Sequence, residues 1–174
     1  MPRRGRAATL GCTTSLMTST ADRVDDVYTP AATFRRTQAE RADQRLAWQR
    51  SDQAFFAAGA CHILAWAFVE GRSDSAFQIV ALRKIGEKHA SHVIVSDGFW
   101  AFDHDGWTRE SELLAATSAF ESGTAWESLV ITDDLATYCR SHDSRPPDMY
   151  AGDPSPRARA YIAQFPPCPP VNLH

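Results

Sequence analysis

The chain has 174 residues, 44% of them hydrophobic and 22% charged, enough to enclose the core of one globular domain. Its 18 basic and 21 acidic side chains leave a net charge of -3, which gives no electrostatic footprint for nucleic acid or for an anionic membrane surface. Cys12, Cys61, Cys139 and Cys168 lack paired spacing, so neither a zinc knuckle nor a disulfide framework is expected, and a reducing, cytoplasmic setting fits best.

Residues 1 to 36 are rich in Thr, Ser, Ala and Arg without an apolar period and read as a disordered or loosely docked arm. Arg3, Arg4 and Arg6 precede too short an apolar stretch for a signal peptide, and a start at Met17 would remove that basic pattern. A single domain is expected over 37 to 166, with a tail from 167 to 174. Thr37 to Ala58 carries strong helix formers, with Gly59 as its stop. Cys61 to Val69 is apolar on every side except at His62, which predicts a helix buried among other elements and ended at Gly71.

Phe77 to Leu82 reads as a strand. The runs His92–Ser96 and Phe99–Asp103 flank Asp97-Gly98, the pattern of a hairpin with a two-residue loop. That register sets Ser96 opposite Phe99, Val95 opposite Trp100 and His92 directly opposite Asp103. His92 and Asp103 then share one face, while Val93, Val95, Trp100 and Phe102 occupy the other, which is expected to be the core side. After Asp105-Gly106, Thr108 is placed to cap a helix running to about Phe120. Trp126 to Ile131 reads as a strand, Thr132 or Asp133 as the cap of a helix to about Ser141, and Pro156 to Gln164 as a last short helix. Helices first, then a small antiparallel sheet, gives an α+β class rather than alternating βαβ, and neither GxGxxG nor GxxxxGK[ST] occurs.

A carboxylate beside one imidazole nitrogen fixes the tautomer and stabilises the imidazolium, as a general base or acid requires. Cys61 is the matching nucleophile, because the first turn of a helix offers unpaired amides and a dipole that favour a thiolate and can hold an oxyanion. A cysteine opening a buried helix, then a histidine on one strand and an acidic residue on the next, resembles the papain-like fold group, including its transglutaminase-like and NlpC/P60-like branches. The segment GACHILAWAF is similar to the papain cysteine segment, and the resemblance spans about residues 53 to 107.

This resemblance implies an N-terminal helical part whose cysteine-bearing helix packs on a small antiparallel sheet. It implies Cys61 as nucleophile, His92 as base and Asp103 as the residue orienting His92. The activity implied is a thiol-dependent hydrolase or acyltransferase acting on a peptide, amide or ester bond, with no cofactor. Gln53 is the candidate oxyanion donor, although it stands eight residues before Cys61 where the papain pattern places a glutamine six before.

Two other readings come from the same residues. His89, His92, Asp103, His104 and Asp105 crowd one hairpin and could ligate a metal, but strand alternation should point His104 away from Asp103. Trp100 and Trp107 could instead form the contact surface of a non-catalytic binding or accessory protein. His62 is read as structural, because neighbouring helical side chains diverge by about 100°.

Overall fold

The structure, a computed structural model, describes residues 27–72 and 76–170. Over these the chain is α+β. Seven α-helices accompany one antiparallel five-stranded sheet in the order β4-β3-β2-β1-β5. The strands are β1 (Gln78–Lys84), β2 (His92–Ser96), β3 (Trp100–Asp103), β4 (Gly106–Arg109) and β5 (Trp126–Ile131). Among the described residues no helix is long and apolar enough to cross a membrane.

The long helix expected from 37 to 58 is instead three short ones, α1 (Gln38–Ala42), α2 (Gln44–Trp48) and α3 (Asp52–Ala57). Side-chain capping divides them. Thr37 and Glu40 form a reciprocal capping box, Asp43 accepts from the Arg45 amide, and Ser51 accepts from the Ala54 amide. Asp and Ser compete with backbone carbonyls for amide protons, so each restarts the helix in a new direction. Helical propensity alone does not register that competition.

Helix α4 (Cys61–Glu70) follows the sequence reading: His62 to Phe68 are all buried. It packs against β2, α7 (Pro154–Ile162), α3, β1, β3 and α6 (Leu135–Ser141), so every side has a neighbour. Ile63, Leu64 and Phe68 are at most 2% exposed, each worth about 1.5–3 kcal/mol in transfer out of water. They bind α4 to the Ile79, Val93, Val95 and Phe102 side of the sheet.

The opposite side of the sheet is also covered. Val80, Leu82, Ile94 and Ala101 meet Leu113 of α5 (Glu110–Phe120) and Tyr28 from the segment before α1. All of β2 and β3 is therefore buried, and the polar residues His92, Ser96 and Asp103 are enclosed rather than solvated. The reading of 1 to 36 as an arm meets the structure only from residue 27 onward. There Tyr28 is 6% exposed and Ala31–Phe34 form a 3-10 turn.

The hairpin register differs from the expected one by two residues, pairing Val95 with Phe102 and Ser96 with Ala101. The Asp97 carboxylate accepts from the amides of Phe99 and Trp100, and Ser96 Oγ accepts from the Gly98 amide. These bonds move the reversal to Gly98-Phe99. Thr108 does not cap a helix either; it lies in β4, paired with Ala101. Gly106 at φ +84° turns the chain straight back, against the Phe165 ring, which would stand 2.5 Å from a Cβ there. Helix α6 begins one residue later than expected, with the Asp134 carboxylate accepting from the Thr137 amide.

Candidate active site

Cys61 is the first residue of α4, and the preceding Ala60 provides no side-chain cap, so the first-turn amides keep their donors unfilled by side chains. Gly59 makes the sharp entry at φ +118°, held by the Tyr150 hydroxyl donating to its carbonyl at 2.6 Å. Cys61 is partly exposed. Gly59, two residues before it, lines a cavity of about 270 Å³ together with Ala58, Lys84, Ser91, His92 and Trp126 among others.

His92 opens β2 and Asp103 closes β3. In the observed register they are diagonal rather than directly opposite, yet a shift of two residues preserves the shared face. The imidazole reaches across, and Nε2 donates to Asp103 Oδ2 at 2.9 Å. Nδ1 has no hydrogen-bond partner among the described residues. The ring also interacts with the Cys61 thiol, which brings the three residues expected from sequence into one neighbourhood.

The carboxylate of Asp103 is firmly anchored. Oδ2 also accepts from the Tyr28 hydroxyl at 2.8 Å and lies 3.0 Å from His104 Nδ1, while Oδ1 accepts from the Asp105 amide at 2.9 Å. Burial by itself would raise its pKa, but the His104 and His92 rings outweigh it and hold the group far below the usual carboxylate range. His104 lies in the turn after β3, its Nε2 donating to the Thr29 carbonyl at 3.0 Å. Strand alternation does not apply there, so the expectation that His104 points away from Asp103 is corrected.

Burial also opposes charge on Cys61 and His92, and their mutual interaction overrides it. Hydrogen bonds and charge from His62 and His92 lower the Cys61 thiol to about 5. Asp103 and Cys61 raise His92 to about 10. Between these values the favoured pair is thiolate with imidazolium. His62 belongs to the same cluster: Nε2 donates to the Arg145 carbonyl at 2.8 Å, and the ring interacts with the thiols of Cys139 and Cys61. Burial disfavours its charge, yet these partners raise it to about 9. The 100° divergence separates Cβ directions only, and an imidazole is long enough to bend back to its neighbour's thiol.

Gln53 lies in α3, and its amide nitrogen donates to Asp105 Oδ1 at 2.7 Å, toward the β3–β4 turn. That bond leaves the backbone amides of α4 as the better-placed oxyanion donors. His89 Nδ1 meets the His142 carbonyl at 2.9 Å, apart from the His92 cluster.

His92, Asp103 and His104 bring ligand atoms within 4.8 Å of one another and could hold a metal ion. The fit is poor on two counts: Asp103 Oδ2 already receives Tyr28 and His92, and His104 is fully buried. Tyr28 and Tyr150 were not singled out from sequence, and His104 was named there only as a candidate metal ligand. Tyr28 sits in a stretch with no apolar period.

Compared with known proteins, the chain matches no family model, no curated protein and no solved structure.

Proposed function

We propose that the protein is a thiol-dependent hydrolase or acyltransferase that cleaves an amide or ester bond through Cys61, His92 and Asp103, in the manner of the papain-like fold group. The observation that carries this reading is the position of His92, whose Nε2 is fixed by Asp103 at 2.9 Å while the same ring lowers the Cys61 thiol. A histidine held on one side and proton-coupled to a nucleophile on the other is the arrangement that acyl transfer needs.

The Cys61 thiolate attacks the acyl carbon and forms a carbon–sulfur bond. The amides of the first α4 turn receive the developing oxyanion. The carbon–nitrogen or carbon–oxygen bond then breaks as His92 passes its proton to the leaving group. Water or an acceptor alcohol or amine next attacks the thioester while His92 takes its proton, and the thiolate is released. Asp103 keeps the ring oriented and stabilises the imidazolium between the two halves of the cycle.

Mass-spectrometric mapping of iodoacetamide labelling from pH 4 to 9 tests the reading. Cys61 should alkylate with a midpoint near 5, and His92→Ala should move that midpoint upward, with His62 left as the remaining support of the thiolate. An inert Cys61, or one equally reactive without His92, would mean a binding protein rather than an enzyme.

A further inference from the structure

Two arginines stand near Cys61 without an ion-pair partner among the described residues. The Arg36 guanidinium lies against Gly59, two residues before the thiol, so closely that a Cβ on Gly59 would come within 2.8 Å of Arg36 Cζ. The Gly59 carbonyl is bonded to Tyr150, and the Arg145 guanidinium stands 5.5 Å from the centre of the Tyr150 ring. The Tyr150 hydroxyl is thus within electrostatic reach of Cys61, Arg145 and Arg36 together.

Neither arginine is ion-paired among the described residues. Among the described residues Arg36 makes no side-chain hydrogen bond or ion pair, and Arg145 donates only to the neutral Gln44 side chain. Five other basic residues are ion-paired: Arg35 and Lys84 share Glu121, Arg50 pairs with Glu40, Arg83 with Glu127 and Arg157 with Asp52. Desolvation, then the charge of Arg145, holds the Arg36 guanidinium below its ordinary pKa. The Cys61 thiolate cannot serve as the missing counterion, because His92 and His62 already flank it.

We infer that Arg36 and Arg145 form an anion subsite beside Cys61, so that the acyl compound taken by the thiol carries a carboxylate or phosphate group. This inference rests on Cys61 being the nucleophile. A planar guanidinium offers a fork of donors that matches the oxygens of either anion, and both guanidinium groups stand near Tyr150. The bound anion would supply the charge that the fold withholds. It would also fix the acyl carbon relative to the thiol, since the Arg36 contact is only two residues from Cys61.

Labelling of Cys61 at pH 7 by iodoacetate, an anion, and by iodoacetamide, its neutral counterpart, tests the subsite. Arg36→Gln or Arg145→Gln should lower the iodoacetate rate about tenfold, the equivalent of one charge-assisted hydrogen bond, and change the iodoacetamide rate less than twofold. Saturable protection by succinate identifies a carboxylate site and protection by inorganic phosphate a phosphate site. An unchanged ratio of the two rates in both variants, or no protection by either anion, overturns the subsite. Calorimetric titration of Cys61→Ser with the same two anions reads the subsite without the thiol. Binding there with an unreactive Cys61 would leave the anion site standing and remove the catalytic reading instead.

Discussion

Replacing Asp103 with asparagine keeps the size of the side chain and removes the charge that three groups converge on, namely the Tyr28 hydroxyl, His92 Nε2 and His104 Nδ1. Without that charge only Cys61 offsets burial at His92, and its pKa falls from about 10. Cys61 loses part of the support of its thiolate while His62 stays in place, so its midpoint climbs from about 5 toward 9.0, a change worth about 5 kcal/mol if complete. A labelling rate at pH 7 is the wrong readout. The thiolate fraction would drop about a hundredfold, but a more basic thiolate is more nucleophilic, with a Brønsted slope of about 0.4–0.5 that recovers most of the loss. The titration itself separates the cases. Thiolate absorbance near 240 nm, taken as the difference between each protein and its Cys61→Ser partner, should shift its midpoint upward by two or more pH units in Asp103→Asn. A midpoint within half a unit of that of the unmutated chain would show that Asp103 does not set the state of His92, and the coupling described for the site would fall with it.

Two further outcomes follow from the same contacts. Tyr28→Phe removes one charge-assisted hydrogen bond to Asp103 Oδ2 and leaves the ring packing intact. It should cost about 1.5–3 kcal/mol, read as a fall in Tm of about 4–10 °C by calorimetry, and an unchanged Tm would mean this hydrogen bond contributes nothing to stability. The pH dependence of stability carries the sign of Cys61: its pKa is lowered in the folded chain, so its contribution is present above the unfolded value and is lost as pH falls through about 5. Between pH 5 and 6.5 wild type should gain about 2 kcal/mol relative to Cys61→Ser in urea unfolding. Parallel curves for the two proteins would exclude a folded thiolate.

Different parts of the molecule were legible in the sequence for different reasons. Helix α4 could be read because a run with no polar side except at His62 has only one stable destination, inside the fold. Strand β5 could be read because β-branched and aromatic residues end sharply at turn formers. The breaks at Asp43 and Ser51 were hidden, since a capping side chain and a helix-surface side chain of the same type look alike until the chain direction is known. β4 was hidden by Thr108, which suits a cap and a strand equally well; only the closeness of Gly106 to Phe165, a contact across 59 positions, settles the turn.

The candidate site was legible through parity and obscure in depth. Which residues share a face of a hairpin depends on the register modulo two, so an error of two residues left His92 and Asp103 together. Nothing in that parity says whether the face is wet. A solvated His–Asp pair would have contributed a fraction of a kcal/mol and a nearly ordinary imidazole. Tyr28 and α5 close over the face, and this enclosure turns the same pair into a strongly coupled one, with the histidine raised and the carboxylate depressed. On the proposed reading, the state of the Cys61 thiol at the start of α4 depends partly on a tyrosine thirty-three residues upstream, through the Asp103 carboxylate that Tyr28 and His92 share.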